Sequence, residues 1–239
     1  MSRTGTLRRM AGVARTPRRD RGFWYGLAID VGYPIAMACT VPVWRGGEHI
    51  PAAGPVLLVS NHLSFADPVT ETVFVLAHGR VPRFLAKSGL WRLPVIGRVM
   101  ADGGHIPVHR DVRDARGAYQ AALAALGRGE ALLVYPESTF TDDPDGWPMR
   151  GRTGVAKLAL ESGAPVVPIA HWGNQRVLPP KKIVPRLLPR KRVVVYAGEP
   201  VDLSDFAGQR LSRTVLTGAT ARIMAAITDL LTEIRTGHP

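Results

Sequence analysis

Residues 56–68, VLLVSNHLSFADP, run from a short apolar stretch through a polar turn into a helix start. The apolar part, Val56–Ser60, has the length and bounding residues of a strand buried on both faces. Pro68–Ala77 reads as a helix, with Asp67 as an acidic cap and Pro68 at the first helical position. His62 and Asp67 lie between these elements. On a straight helix they would sit ~140° apart, from ~3.6 residues per turn. Residues 61–66 must therefore turn if the two side chains are to meet.

The same alternation extends in both directions. Ala131–Tyr135, Pro165–Ala170 and Val193–Ala197 are further buried-strand patterns, and Arg83–Ala86 and His105–Val108 are shorter ones. Val43 to Pro55 reads as a short strand and a turn. Helical patterns cover Val112–Leu126, Arg152–Ser162 and Leu211 to about Arg235. The last carries an apolar stripe of Leu211, Val215, Ala219, Ile223, Ile227, Leu230 and Ile234, most simply a core face. Strands alternating with amphipathic helices predict an α/β fold, a largely parallel mixed sheet flanked by helices. In open α/β sheets ligands bind beyond the carboxyl ends of strands. Asn61-His62 and Pro136-Glu137 both fall at such ends.

Composition narrows the partners. The 239 residues carry 31 Lys and Arg against 19 Asp and Glu, a net charge of +12. Arg3, Arg8, Arg9, Arg15, Arg18, Arg19 and Arg21 crowd the start, opposed only by Asp20. Arg176, Lys181, Lys182, Arg186, Arg190, Lys191 and Arg192 form a second run without an acid among them. Such charge attracts polyanions, and near an anionic leaflet each residue is worth roughly 1 kcal/mol. The aromatic residues are not interleaved with the basic runs, and no nucleic-acid motif appears, so no nucleic-acid partner is expected. An apolar fraction of 46% excludes a disordered chain. The single cysteine, Cys39, leaves no disulfide within a monomer and fits a reducing compartment.

Three segments follow. Residues 1–21 form a basic flexible arm, 22–44 an aromatic helix, and 45–239 an α/β domain. FWYGLAIDVGYPIAMACTVPVW, residues 23–44, is about as long as the ~20 residues a membrane span requires, but Asp30, Pro34 and Pro42 interrupt it. It reads better as a helix lying in the interface, with Phe23, Trp24 and Tyr25 at headgroup level, or as a helix packed on the core. The expected location is peripheral or monotopic, on the cytoplasmic face of the cell membrane.

Histidine is the side chain best suited to take a proton near neutral pH, and a carboxylate on its other nitrogen fixes tautomer and orientation. Alone, such a pair is more often a structural histidine and an N-cap aspartate. His105 and His109 share a strand face, but no third ligand accompanies them, and no metal site is expected. Ser138 lacks the G-x-S-x-G turn of a serine hydrolase.

NHLSFADP resembles the H-x4-D signature of the glycerolipid acyltransferases, in particular the 1-acylglycerol-3-phosphate acyltransferase group. GGHIPVHR at 103–110, YPESTFT at 135–141 and APVVPIA at 164–170 are similar to the family's second, third and fourth blocks, in the same order and spacing. The resemblance covers roughly residues 43–200. It implies a glycerol-phosphate acyltransferase-like fold and an acyl thioester donor, coenzyme A or acyl carrier protein, with no cofactor. It implies His62 as general base, Asp67 as its orienting partner, and a lysophosphatidic acid-like acceptor at an anionic membrane surface. By the same resemblance Arg110, Glu137, Lys87, Ser138 and Thr139 bind the acceptor.

The third block departs from the family pattern F-P-E-G-T-R: Ser138 stands in place of glycine and Phe140 in place of arginine. Three explanations are open. Arg150 or Arg152 supplies the missing cation, or Arg110 and Lys87 suffice, or the acceptor is another lysophospholipid or a glycolipid.

Overall fold

The computed structural model describes residues 22–109, 112–180, 182 and 184–237, with the side chains of 112–115 left aside. The proposed 1–21 arm lies outside these residues. Among the described residues seven strands form one sheet: β1 Thr40–Arg45, β2 Val56–Ser60, β3 Pro82–Lys87, β4 Ile106–Val108, β5 Ala131–Val134, β6 Val166–Trp172 and β7 Lys191–Ala197. Their order is β1-β7-β6-β2-β5-β3-β4, and every pairing is parallel except β6 with β7. The expected largely parallel mixed sheet is present, with β2 near its centre.

The helices are α1 Phe23–Cys39, α2 Asp67–Ala77, α3 Pro94–Asp102, α4 Val112–Gly127, α5 Gly154–Ser162, α6 Asn174–Val177 and α7 Arg213–Gly237. They supply cover for both faces of the sheet. Leu57, Val59 and Leu132 pack with residues of α4, α5 and α7 such as Ala122, Ala156 and Ile223. Val56, Leu58 and Leu133 point the other way, toward Phe74 and Val75 of α2. Alternate residues of one strand thus enter opposite cores, so VLLV is apolar throughout and not alternating.

α7 is long and apolar enough to cross a membrane by length and composition. Ile223, Ile227, Leu231 and Ile234 are nonetheless fully buried, the last two with Ala170 and Tyr196 of the sheet. The expected core face is present from Ala219 to Ile234, with Leu231 fully buried and Leu230 partly buried beside it, while Leu211 precedes the helix.

The aromatic helix ends earlier than expected. Thr40 to Arg45 is a strand, paired with β7 from Thr40↔Lys191 to Arg45↔Tyr196. Thr40, Val41 and Val43 are β-branched, and an edge strand tolerates Pro42. Within α1, Tyr25, Ile29 and Tyr33 are buried, and Tyr25 meets His105 edge-on at 5.0 Å. Tyr25 therefore faces the protein and is not at headgroup level. Phe23, Leu27, Val31 and Ile35 form an exposed stripe at steps of four on the same helix. Asp102, at the end of α3, accepts from the Trp24 and Tyr25 N–H groups (2.5 and 3.3 Å), which anchors the positive end of α1.

Candidate active site

The carboxyl ends of β2 and β5 bring the two loaded segments together. Asn61 to Ala66 turns as anticipated, with Asp67 N–H donating to Ser64 O (3.1 Å). Asp67 is the first helical residue, after Ala66 as N-cap. Its carboxylate does not cap α2 but folds back over the turn. Oδ2 accepts from the Leu63 N–H (2.6 Å), the Ser64 N–H (2.7 Å) and His62 Nδ1 (2.9 Å). The Asp67 side chain is fully buried and the His62 side chain is 15% exposed. With Nδ1–H committed to Asp67, Nε2 of the neutral ring is left as the basic nitrogen, on a side chain that solvent reaches.

Rings fix the imidazole further. Tyr135 stacks on it with centroids 3.9 Å apart and planes at 11°, and Phe140 contacts it at 4.3 Å and 47°. Phe65, half exposed, meets Phe140 edge-on at 4.7 Å. The loop after β5 is also laced to the His62 backbone. His62 N–H donates to Glu137 Oε1 (3.2 Å), Thr141 N–H donates to His62 O (2.9 Å), and Met149 N–H donates to Glu137 Oε2 (2.8 Å). Glu137 is buried, and burial pushes its carboxyl up to about 7 against the lowering effect of those two N–H groups. Both its oxygens are occupied by main-chain donors, so it braces the turn that carries His62.

Ser138 is the one non-glycine residue with positive φ among the described residues, at 61°. The left-handed conformation costs a side-chain-bearing residue roughly 1–2 kcal/mol that glycine avoids. Ser138→Gly is therefore expected to stabilise the fold, by about 0.5–1 kcal/mol after glycine's larger unfolded-state entropy is set against the relief. Denaturant unfolding checks this, and a lower midpoint for the variant would contradict the strain.

Beneath the pair lies a buried polar layer that the sequence reading missed. His171, at the end of β6, donates from Nε2 to Asn61 O (2.8 Å) and faces the Asn174 amide with Nδ1 (3.2 Å). Asn61 binds the His171 backbone in return, through Oδ1 to N–H (3.0 Å) and Nδ2 to O (3.1 Å). His171 Nε2 lies 3.5 Å from Asp67 Oδ2 and 3.7 Å from Glu71 Oε1. Glu71 accepts from the Tyr135 hydroxyl, and Tyr135 in turn supports His62. One signal was legible: Glu71 follows Asp67 by four residues, on the same helix face. His171 directly follows the APVVPIA block but carried no spacing cue.

Burial pushes the Glu71 carboxyl up to about 7; Asp67 adds to this and His171 opposes it. Protonated Glu71 thus stabilises the fold fully below about pH 4.5. That contribution is lost as pH rises through about 7, because the unfolded carboxyl ionises first. Glu71→Gln, which keeps an acceptor for Tyr135, is expected to raise stability at pH 8 by about 2–3 kcal/mol and to change little at pH 4.5. Thermal unfolding at both values tests this, and equal curves at pH 8 would contradict it.

The remaining expected residues are dispersed. Lys87 is exposed and ends β3, at the same carboxyl edge as His62. Ser138 and Thr139 are exposed on the loop after β5. Arg110 lies outside the described residues. Arg150 is exposed and lines a cavity of about 430 Å³ between residues 148–153 and α7, with Met149, Thr217, Thr220 and Met224. No described contact joins Arg150 to His62. Among the described residues no Lys or Arg stacks on the Phe140 ring that contacts His62. His105 accepts the Phe84 N–H at Nδ1 (3.0 Å). Burial, with Arg83 nearby, lowers its pKa to about 4, as befits a structural histidine.

With its carboxylate–histidine pair beyond the carboxyl end of a central strand of a largely parallel sheet, the chain belongs to the acyltransferase family, whose profile, described as Acyltransferase, matches residues 42–172. It is 31% identical over 137 residues to a chloroplastic 1-acyl-sn-glycerol-3-phosphate acyltransferase of Brassica napus, covering 56% of this chain and 38% of that protein. It is 32% identical over 163 residues to a lyso-ornithine lipid O-acyltransferase of Pseudomonas aeruginosa, covering 68% of this chain and 57% of the relative. The chain thus spans well under two thirds of the length of these curated relatives. The 1-acyl-sn-glycerophosphate acyltransferase of Thermotoga maritima superposes with a TM-score of 0.63 over 86% of this chain and 80% of its own. At 23% identity, that likeness concerns the fold.

Proposed function

We propose that the chain transfers a fatty-acyl group from a thioester, acyl-coenzyme A or acyl carrier protein, to the hydroxyl of a lysolipid during membrane lipid synthesis. The observation that carries this is the His62 Nδ1–Asp67 Oδ2 contact of 2.9 Å, with Asp67 fully buried and His62 still reachable. In this reading His62 Nε2 takes the proton of the acceptor hydroxyl. The hydroxyl oxygen attacks the thioester carbonyl, and collapse of the tetrahedral intermediate expels the thiolate. The proton on His62 passes to that sulfur, which returns the neutral base. The thioester brings its own activation, so neither an enzyme nucleophile nor a cofactor is called for. The reaction would take place at the cytoplasmic face of an anionic membrane, where the exposed stripe of α1 and the basic surface favour residence.

The test is a panel of lysolipids given one acyl thioester, reading free thiol and acylated lipid. Product from at least one glycerol-type lysolipid is expected, and no product from any would overturn the proposal.

A second reading of the acceptor is favoured by Phe140. Its ring lies against His62, where the resemblance places a phosphate-binding arginine. The lyso-ornithine lipid O-acyltransferase among the relatives is named for an acceptor other than lysophosphatidic acid. Phe140→Arg is therefore expected to improve the use of lysophosphatidic acid relative to lysolipids with larger headgroups, by about tenfold, the order of one charge-assisted hydrogen bond. An unchanged preference would remove this reading.

A further inference from the structure

Between α6 and β7 the chain runs PPKKIVPRLLPRKR, residues 179–192, within a stretch from 162 to 198 that contains no Asp or Glu. Every described residue from 182 to 190 is exposed. Among them Val184 is 72% exposed and Leu188 82%. Large aliphatic side chains grouped this way on a surface mark a place where something apolar docks.

The segment is pinned at both ends. At its start the Ser64 hydroxyl donates to Leu178 O (2.6 Å), which ties it to the turn that carries His62. The Arg186 N–H then donates to Val177 O (2.6 Å). At its end Arg190 donates from Nε to Thr40 O (3.1 Å) and from Nη2 to Met37 O (2.8 Å), at the close of α1. Strand register places all of this at one end of the sheet. Thr40 pairs with Lys191, Trp172 with Val194, and Ser60 with Ile169, so the segment, the end of α1 and the carboxyl end of β2 lie together. Exposed Ile35 on α1 and exposed Phe65 lie two and one residues from the anchoring Met37 and Ser64.

We propose that Lys182 and residues 184–190 form a lipid-docking segment that seats the active-site end of the sheet on an anionic bilayer. Val184, Leu187 and Leu188 enter the headgroup boundary, and Lys182 and Arg186 beside them meet lipid phosphates. Apolar side chains interleaved with cations and no acids match such a surface in both polarity and charge. Its purpose rests on the reading of the site as a lipid acyltransferase, because docking here would hold His62 where a membrane-held lysolipid presents its hydroxyl. The binding itself is measured independently of turnover.

The test is sedimentation of the full chain with phosphatidylcholine vesicles with and without phosphatidylglycerol, no thioester being present. The wild-type chain is expected to prefer the anionic vesicles. Lys182→Ser with Arg186→Ser is expected to weaken that binding by about tenfold or more and to flatten its dependence on salt. Leu187→Ser with Leu188→Ser is expected to weaken it by at least about tenfold at high salt, where the apolar contribution remains. Unchanged thermal midpoints show that the variants are folded, as expected for exposed positions. Wild-type partition by both variants, or no anionic preference in the wild type, overturns the proposal. So does a change confined to oligomeric state, which would make the segment a contact between copies of the chain. Failure of acyl transfer in the lysolipid panel would leave the vesicle result standing, and the reverse also holds.

Discussion

His62→Ala is expected to abolish acyl transfer to within about 10²–10⁴-fold below the wild-type rate, the contribution of a positioned general base, while leaving a folded chain. The imidazole is held by contacts that the rest of the structure does not need. Tyr135 keeps its hydroxyl bond to Glu71 without it, and the His62 backbone remains tied to Glu137 and Thr141. The side chain is partly exposed, so its removal opens no sealed cavity. Steady-state turnover of the purified variant, beside a thermal melt, reads both parts. Near-normal turnover in a folded variant would remove His62 from the chemistry.

Asp67→Asn should cost nearly as much in rate, for a different reason. The Asp67 Oδ2 atom accepts from three donors at once, His62 Nδ1 and the N–H groups of Leu63 and Ser64. An asparagine oxygen in that place can keep the turn together. The amide, however, replaces the charge that stabilises the imidazolium formed when His62 takes the proton. Where its nitrogen faces the ring instead, Nδ1 must become an acceptor, and the proton moves to the nitrogen needed as base. A loss of about 10²–10⁴-fold in kcat, with KM for the lysolipid changed little, is the expected outcome. A loss seen mainly in KM would mean that Asp67 serves acceptor binding and not the base.

The sequence made the frame of this site readable for a physical reason. VLLVS is buried on both faces, so its apolar run had no alternation to obscure it, and the turn after it had to bring His62 to Asp67. Local chemistry also marked where β5 ends and Glu137 begins. What the carboxylates do was less legible. Asp67 in front of Pro68 looks like a helix cap, and only the folded turn shows its oxygen spent on Leu63, Ser64 and His62. Glu137 resembles a ligand-facing acid, yet its partners are the backbones of His62 and Met149, and main-chain donors leave no trace in a sequence pattern. His171 and Asn61 are 110 positions apart and meet because β6 lies beside β2, a register that neither segment encodes alone. The helix–strand switch at Thr40 was missed because the apolar run of α1 continues into β1, and pairing with β7 decides it.

The substitution at Phe140 gains a concrete meaning from the structure. It is part of the aromatic setting of His62, beside Tyr135 and Phe65. On the proposed reading, the His62–Asp67 pair is kept and Phe140 bears on which headgroup the acceptor carries.

The most direct test of acyl transfer through His62 is to measure free thiol and acylated lipid in the same reaction, with the lysolipid supplied and withheld. Transfer predicts one thiol per acylated lipid when the acceptor is present and negligible thiol release when it is absent. Equal thiol release in both, without acylated lipid, would show thioester hydrolysis instead and contradict the assignment.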